Sequence, residues 1–138
     1  TFMTGELFAL LSEHSVLRHG MQGGGWDETA FDTGLSDALS RPERIAARLF
    51  SLRAEGLISG LAAAAARSRL SGLLIGIELA AARPYWLGQR VTLIGAEKLC
   101  SAYARALTAQ GIEAQTLPAT ACTLAGLASL APLTEAAR

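Results

Sequence analysis

Apolar positions along this chain recur first at helical intervals and, near the end, at strand intervals. Leu7, Leu10, Leu11 and Leu17 share the spacing of one helix face. Phe2 to Thr4, just before them, reads as the end of a strand. Thr4 is then placed to cap the helix, with Glu6 in its favourable first turn. His19 to Gly25 breaks the pattern, because three successive glycines are costly to hold in a regular element. Asp27 is a good N-cap for a second helix running toward Leu39. Ser40-Arg41-Pro42-Glu43 has the spacing of a capping box, and the helix after it puts Ile45, Leu49 and Leu52 on one face and stops at Gly56. An alanine-rich helix opens at Ser59, continuous or broken near Ser71-Gly72, and Pro84 closes it.

The period then changes. Arg90 to Gly95 is short, apolar and β-branched, and reads as a buried strand. Glu97 to Gln110 is helical, with Leu99, Tyr103, Ala106 and Leu107 on one face and Gly111 past its end. Ile112 to Leu117 alternates like a strand that Pro118 stops, and Thr120 to Ala131 is a last helix. Strand, helix, strand implies two parallel strands with a right-handed crossover. The fold class is therefore α/β, rich in helix, with a small sheet.

Composition narrows the function classes. The 138 residues suit one domain with a real core. With 27 Ala and 23 Leu, helix is expected above its usual share of about a third. Twelve basic and twelve acidic residues leave no net charge and no electrostatic footprint for a nucleic-acid partner. The most apolar stretch, Leu70 to Ala82, carries Glu78 and falls short of the ~20 residues that cross a membrane. Cys100 and Cys122, outside any C-x-x-C, suit reduced thiols in a cytoplasmic protein. His14 and His19 have no companion cluster, so no metal ligand is assigned.

Three places could carry chemistry. Leu93-Ile94-Gly95-Ala96-Glu97 is a strand ending in glycine that turns straight into a helix. Such a turn lets a ligand approach the backbone at Gly95 and Ala96, with free N–H groups ahead and Glu97 able to accept from ribose hydroxyls. The plainer reading is that Glu97 complements the helix dipole and Gly95 makes the turn; neither G-x-G-x-x-G nor G-x-x-x-x-G-K-[ST] occurs. In the final helix, Cys122 and Gly126, with Ala121, Ala125 and Ser129, make a face of small residues suited to close helix approach. Asp32-Thr33-Gly34 has the letters of an aspartic-protease motif but sits in a helical pattern after no strand.

Beyond spacing, Met3-Thr4-Gly5-Glu6-Leu7-Phe8-Ala9-Leu10-Leu11 with His14-Ser15, and Leu70-Ser71-Gly72-Leu73-Leu74-Ile75-Gly76 with Glu78-Leu79, resemble motifs of the 2-dehydro-3-deoxygalactonokinases. Leu93-Ile94-Gly95, Leu99-Cys100, Tyr103 and Ala106-Leu107 complete the series, in family order, from Met3 to about Leu130. The resemblance implies a helix-rich C-terminal lobe of an actin-like ATPase (ribonuclease H-like) fold, shared with hexokinase. It implies ATP and Mg²⁺ as cofactors and a sugar acid, 2-dehydro-3-deoxy-D-galactonate, as substrate. Gly95, Ala96 and Glu97 then look like the adenosine-binding turn, with Ser71 beneath the adenine, and the face from Ala121 to Ser129 looks like a helix packed on another lobe. Residues 1–138 would form a single lobe. The phosphate-binding segments, the sugar-acid lobe and the catalytic base are expected upstream of Thr1, where the chain opens without Met on a hydrophobic run. A lobe with its interface exposed can form a homo-oligomer. The contrasting reading is a non-catalytic helical interaction or dimerisation module that uses the small-residue face.

Overall fold

The computed structural model describes residues 1–135, with side chains as far as Leu130. It divides into two compact units, Thr1–Tyr85 and Trp86–Arg138.

The first unit is helical. Helix α1 (Thr4–Ala9) runs into a wide turn at Leu10–His14, and a tight turn follows at Val16–Gly20. No strand precedes Thr4. The cap is Met3, without a side-chain bond, and the Thr4 hydroxyl instead donates to Glu78. The helix expected to reach Leu17 breaks at Ser15, which is extended (φ −96°, ψ 178°). Its hydroxyl donates to the Leu11 carbonyl at 2.5 Å and accepts from the Leu17 N–H at 3.0 Å, so the side chain replaces the helical ladder.

Helix α2 (Glu28–Ser40) starts as expected, the Asp27 carboxylate accepting from the Ala30 N–H at 2.9 Å. Its buried face is Phe31, Gly34, Leu35 and Ala38. The capping box does not form. Ser40 belongs to the end of α2, its hydroxyl bonded back to the Ser36 carbonyl at 2.8 Å, and Pro42–Arg44 is a tight turn without a side-chain cap. Proline restricts the residue before it, and Arg41 accordingly leaves the helical region.

Helix α3 (Ile45–Ile58) buries Leu52 and packs Ile45 and Leu49 on the core. It runs through Gly56, and its stop is Gly60 at φ +66°, where the Leu61 N–H reaches back to the Glu55 carbonyl. Ser59 thus ends α3 rather than opening the next helix. Helix α4 (Ala63–Ala81) is unbroken at Ser71-Gly72. Pro84 lies in a separate short helix, α5 (Arg83–Trp86), and α4 stops before it.

Helix α4 is buried on most sides and is the axis of the unit. Leu70, Leu73 and Leu74 meet Leu17, Met21, Ala38 and Leu52 in one apolar cluster. Its contact with α2 is backbone to backbone. A Cβ on Gly72 would lie 2.1 Å from the Phe31 carbonyl oxygen, one on Gly34 2.3 Å from that of Arg69, and one on Gly76 2.6 Å from Ala38 Cβ. Glycines spaced by four let the two helices touch this closely, the geometry of small-residue helix crossings. Arg69, only 14% exposed, bridges Glu55 of α3 at 2.6 Å and Asp37 of α2 at 3.7 Å, with Arg48 on the other Asp37 oxygen at 3.2 Å. Buried Ser68 accepts from the Asp27 N–H at 2.9 Å and so ties α4 to the start of α2.

The second unit contains β1 (Thr92–Gly95), α6 (Glu97–Thr108), β2 (Gln115–Pro118) and α7 (Ala119–Glu135). The strands are parallel, as expected, with Thr92 opposite Gln115 and Gly95 opposite Pro118, but β1 is not the buried strand its apolar run suggested: Thr92 and Ile94 are exposed. Pro118 is the last residue of β2, at a sheet margin where a missing N–H is tolerated. Helix α6 buries Cys100, Ala102, Ala106 and Leu107, and Gly111 beyond it has φ +78°. Both cysteines are free thiols.

Candidate functional site

The turn singled out in the sequence forms where β1 gives way to α6. Gly95 ends the strand, and Ala96 is the N-cap, extended at φ −69°, ψ 138°. Alanine has no side chain to cap with, so only its carbonyl serves the helix, accepting from Leu99 and Cys100 at 3.0 and 2.9 Å. The N–H groups of Glu97 and Lys98, the first two of α6, have no acceptor within the helix. Ala96, Glu97 and Lys98 are all exposed. A Cβ on Gly95 would meet only the Cys100 sulfur, at 3.4 Å. Gly95 is half-buried, and no other atom lies within 4 Å of that position.

Such a turn can hold the polar edge of a ligand by its N–H groups, let a flat group lie against Gly95, and offer the Glu97 carboxylate to hydroxyl donors. Lys98, three residues past the strand-ending glycine and unmarked in the sequence reading, adds an ammonium at the same turn; a single surface lysine carries no pattern that would single it out. Ser71 lies in the first unit, half-buried on α4, and the other three residues lie in the second.

Two of the remaining motifs have structural explanations. Asp32-Thr33-Gly34 is interior to α2, where Thr33 bonds back to the Thr29 carbonyl at 2.8 Å and Gly34 receives α4. Much of the Leu70 to Leu79 motif is accounted for by the same crossing, through Gly72 and Gly76. The small-residue face of α7 is exposed, and a Cβ on Gly126 would meet nothing within 4 Å. Leu124, Leu127 and Leu130 on that helix are 62%, 61% and 55% exposed. No group of three His, Cys, Asp or Glu able to hold a metal ion occurs among the described residues. Nor, among them, is any helix long and apolar enough to cross a membrane.

Parallel strands joined through a helix, with a glycine turn at the carboxyl end of a strand, make the second unit a small α/β assembly. Comparison with known proteins makes this particular. The profile of the 2-keto-3-deoxy-galactonokinase family matches residues 1–130, and the chain belongs to that family. It is 37% identical to Probable 2-dehydro-3-deoxygalactonokinase DgoK1 of Rhizobium meliloti (strain 1021), over 95% of this chain and 44% of that protein. A crystal structure of a Sinorhizobium meliloti protein bearing the same enzyme name superposes with a TM-score of 0.88 at 36% identity. That match covers 96% of this chain and 46% of that one. The chain thus spans less than half the length of these relatives.

Proposed function

We propose that this chain is the adenosine-holding lobe of an ATP-dependent sugar-acid kinase with the actin-like ATPase fold. The reaction is transfer of the ATP γ-phosphoryl group to the 6-hydroxyl of 2-dehydro-3-deoxy-D-galactonate. Family membership across residues 1–130 is the observation that carries this reading. The exposed turn at Gly95 supports it locally.

In this reading Gly95 leaves room for the nucleoside, Glu97 accepts from the ribose hydroxyls, and the Glu97 and Lys98 N–H groups face the nucleotide's polar edge. ATP supplies the phosphoryl group, and Mg²⁺ travels on its phosphates; no residue of this chain is assigned to the metal. Phosphoryl transfer depends on alignment and on stabilising the charge of the moving group. Holding the adenosine end accomplishes the first part, by fixing where the phosphates reach. The sugar-acid pocket, the phosphate clamp and the base belong to the portion of the relatives that this chain does not cover. The exposed leucines of α7, with the small residues beside them, form the face that receives this other lobe. The whole enzyme acts in the cytoplasm.

The test is a graft. This chain replaces the matching segment of the Rhizobium relative, and initial rates are measured against ATP and sugar acid separately. Retained turnover is expected. Gly95→Val in the graft should raise KM for ATP at least tenfold and leave KM for the sugar acid unchanged. Equal effects on both, or none, would remove the turn from the nucleotide site. The 138 residues alone should show no transfer.

A further inference from the structure

The first unit holds a cavity of about 340 Å³ that the kinase reading does not use. It lies between the tight turn at Val16–Gly20, helix α3 and the start of α4. Its floor is the buried apolar surface of Leu17, Met21, Leu52 and Ala66. Its polar lining is Arg53, His19 and Gln22, with no aspartate or glutamate among the lining residues.

Two observations point to a ligand. The first is charge. Arg48 and Arg69 are paired with Asp37 and Glu55, but Arg53, half-buried on the cavity wall, has no carboxylate partner among the described residues. A guanidinium beside apolar surface, with no carboxylate of its own, suits an anion presented by something that also covers that surface. The second is Gly56. A glycine inside a helix costs about 1 kcal/mol against alanine. In α2 and α4 that cost is offset by close packing, but a Cβ on Gly56 would meet nothing within 4 Å. Gly56 is itself one of the residues that line the cavity.

We propose that this cavity binds a small organic carboxylate with an apolar body, its carboxylate on Arg53 and its body on the floor of Leu17, Met21, Leu52 and Ala66. The volume lies at the small end of the range for ligand pockets, about 300–1,000 Å³. The site lies wholly within the first unit and is independent of the nucleotide turn.

The test is a titration of the ¹⁵N-labelled chain followed by amide chemical shifts, with hexanoate, its neutral analogue 1-hexanol and the hydroxylated carboxylate D-gluconate as probes. Hexanoate should move the signals of residues 17–22 and 52–57 and bind at least tenfold more tightly than either other probe. Arg53→Gln should reduce hexanoate binding to the level of hexanol. Gly56→Leu, which fills the cavity, should abolish it. Gly56→Ala should raise the thermal midpoint, separating lost binding from lost folding. Equal binding of hexanol, tighter binding of gluconate, or hexanoate shifts that survive Gly56→Leu would each overturn the proposal.

Discussion

Replacing Gly72 with alanine adds one carbon to a helix, a change that normally stabilises by about 1 kcal/mol. Here the sign reverses. The new Cβ would lie 2.1 Å from the Phe31 carbonyl oxygen and 2.8 Å from the Leu35 nitrogen. Both are backbone atoms of α2, so no side-chain rotation relieves the contact. The helices must part by about 1 Å, and a gap of that size forfeits a quarter to a half of the dispersion energy across it. Phe31, Leu35 and Leu73 are buried in this part of the unit, each worth about 2 kcal/mol of burial. A quarter of that is about 1.5 kcal/mol, and overpacking adds up to about 3 kcal/mol. Against the gain in helix propensity, the net loss is about 3 kcal/mol. At a urea dependence near 2 kcal/mol per molar, the midpoint should fall by about 1.5 M. Urea unfolding followed by far-UV circular dichroism at 222 nm reads this directly. Gly56→Ala is the internal control, in the same unit and a helix interior, but with open space around it, and should move the midpoint up. A Gly72→Ala chain as stable as the parent would refute the close crossing of α2 and α4.

Ser68→Ala removes the acceptor of the Asp27 N–H from a nearly sealed site, so a loss of about 1–3 kcal/mol is expected in the same urea assay. Arg69→Met strips Glu55 and Asp37 of a largely covered partner and should cost about 1–3 kcal/mol, while Arg48→Met, whose side chain is more exposed, should cost under about 1 kcal/mol. Gly60→Val puts a β-branched residue at φ +66° and should lower the thermal midpoint by several degrees, whereas Gly60→Asn should be nearly neutral.

Elements whose signals were local were legible in the sequence. Asp27 announced α2 because a cap acts within one turn, and β1, α6 and β2 followed from the change of period and from Gly111. Misreadings came where a side chain had two local partners to choose from. Ser40 bonds backward to Ser36 instead of forward to Glu43, and Ser15 bonds to its own neighbours and interrupts a helix that the leucine spacing would continue. Glycine was the hardest residue to read. Gly56 read as the end of α3, but the helix runs through it and the left-handed residue that stops it is Gly60, four positions on. Gly34, Gly72 and Gly76 drew attention as parts of motifs, but their close approach involves a partner helix some forty residues away, which no local pattern reports. The turn at Gly95 was visible because strand, glycine and helix are contiguous. Lys98 beside it was missed because a single surface lysine has no pattern.

The central claim is that Gly95, Ala96 and Glu97 form an adenosine-binding turn. An ADP titration of the ¹⁵N-labelled chain, read by amide chemical shifts, tests it residue by residue. The account predicts saturable shifts concentrated at residues 95–98 and lost in Gly95→Val. Shifts confined to other residues, or no shifts at millimolar ADP, would contradict it.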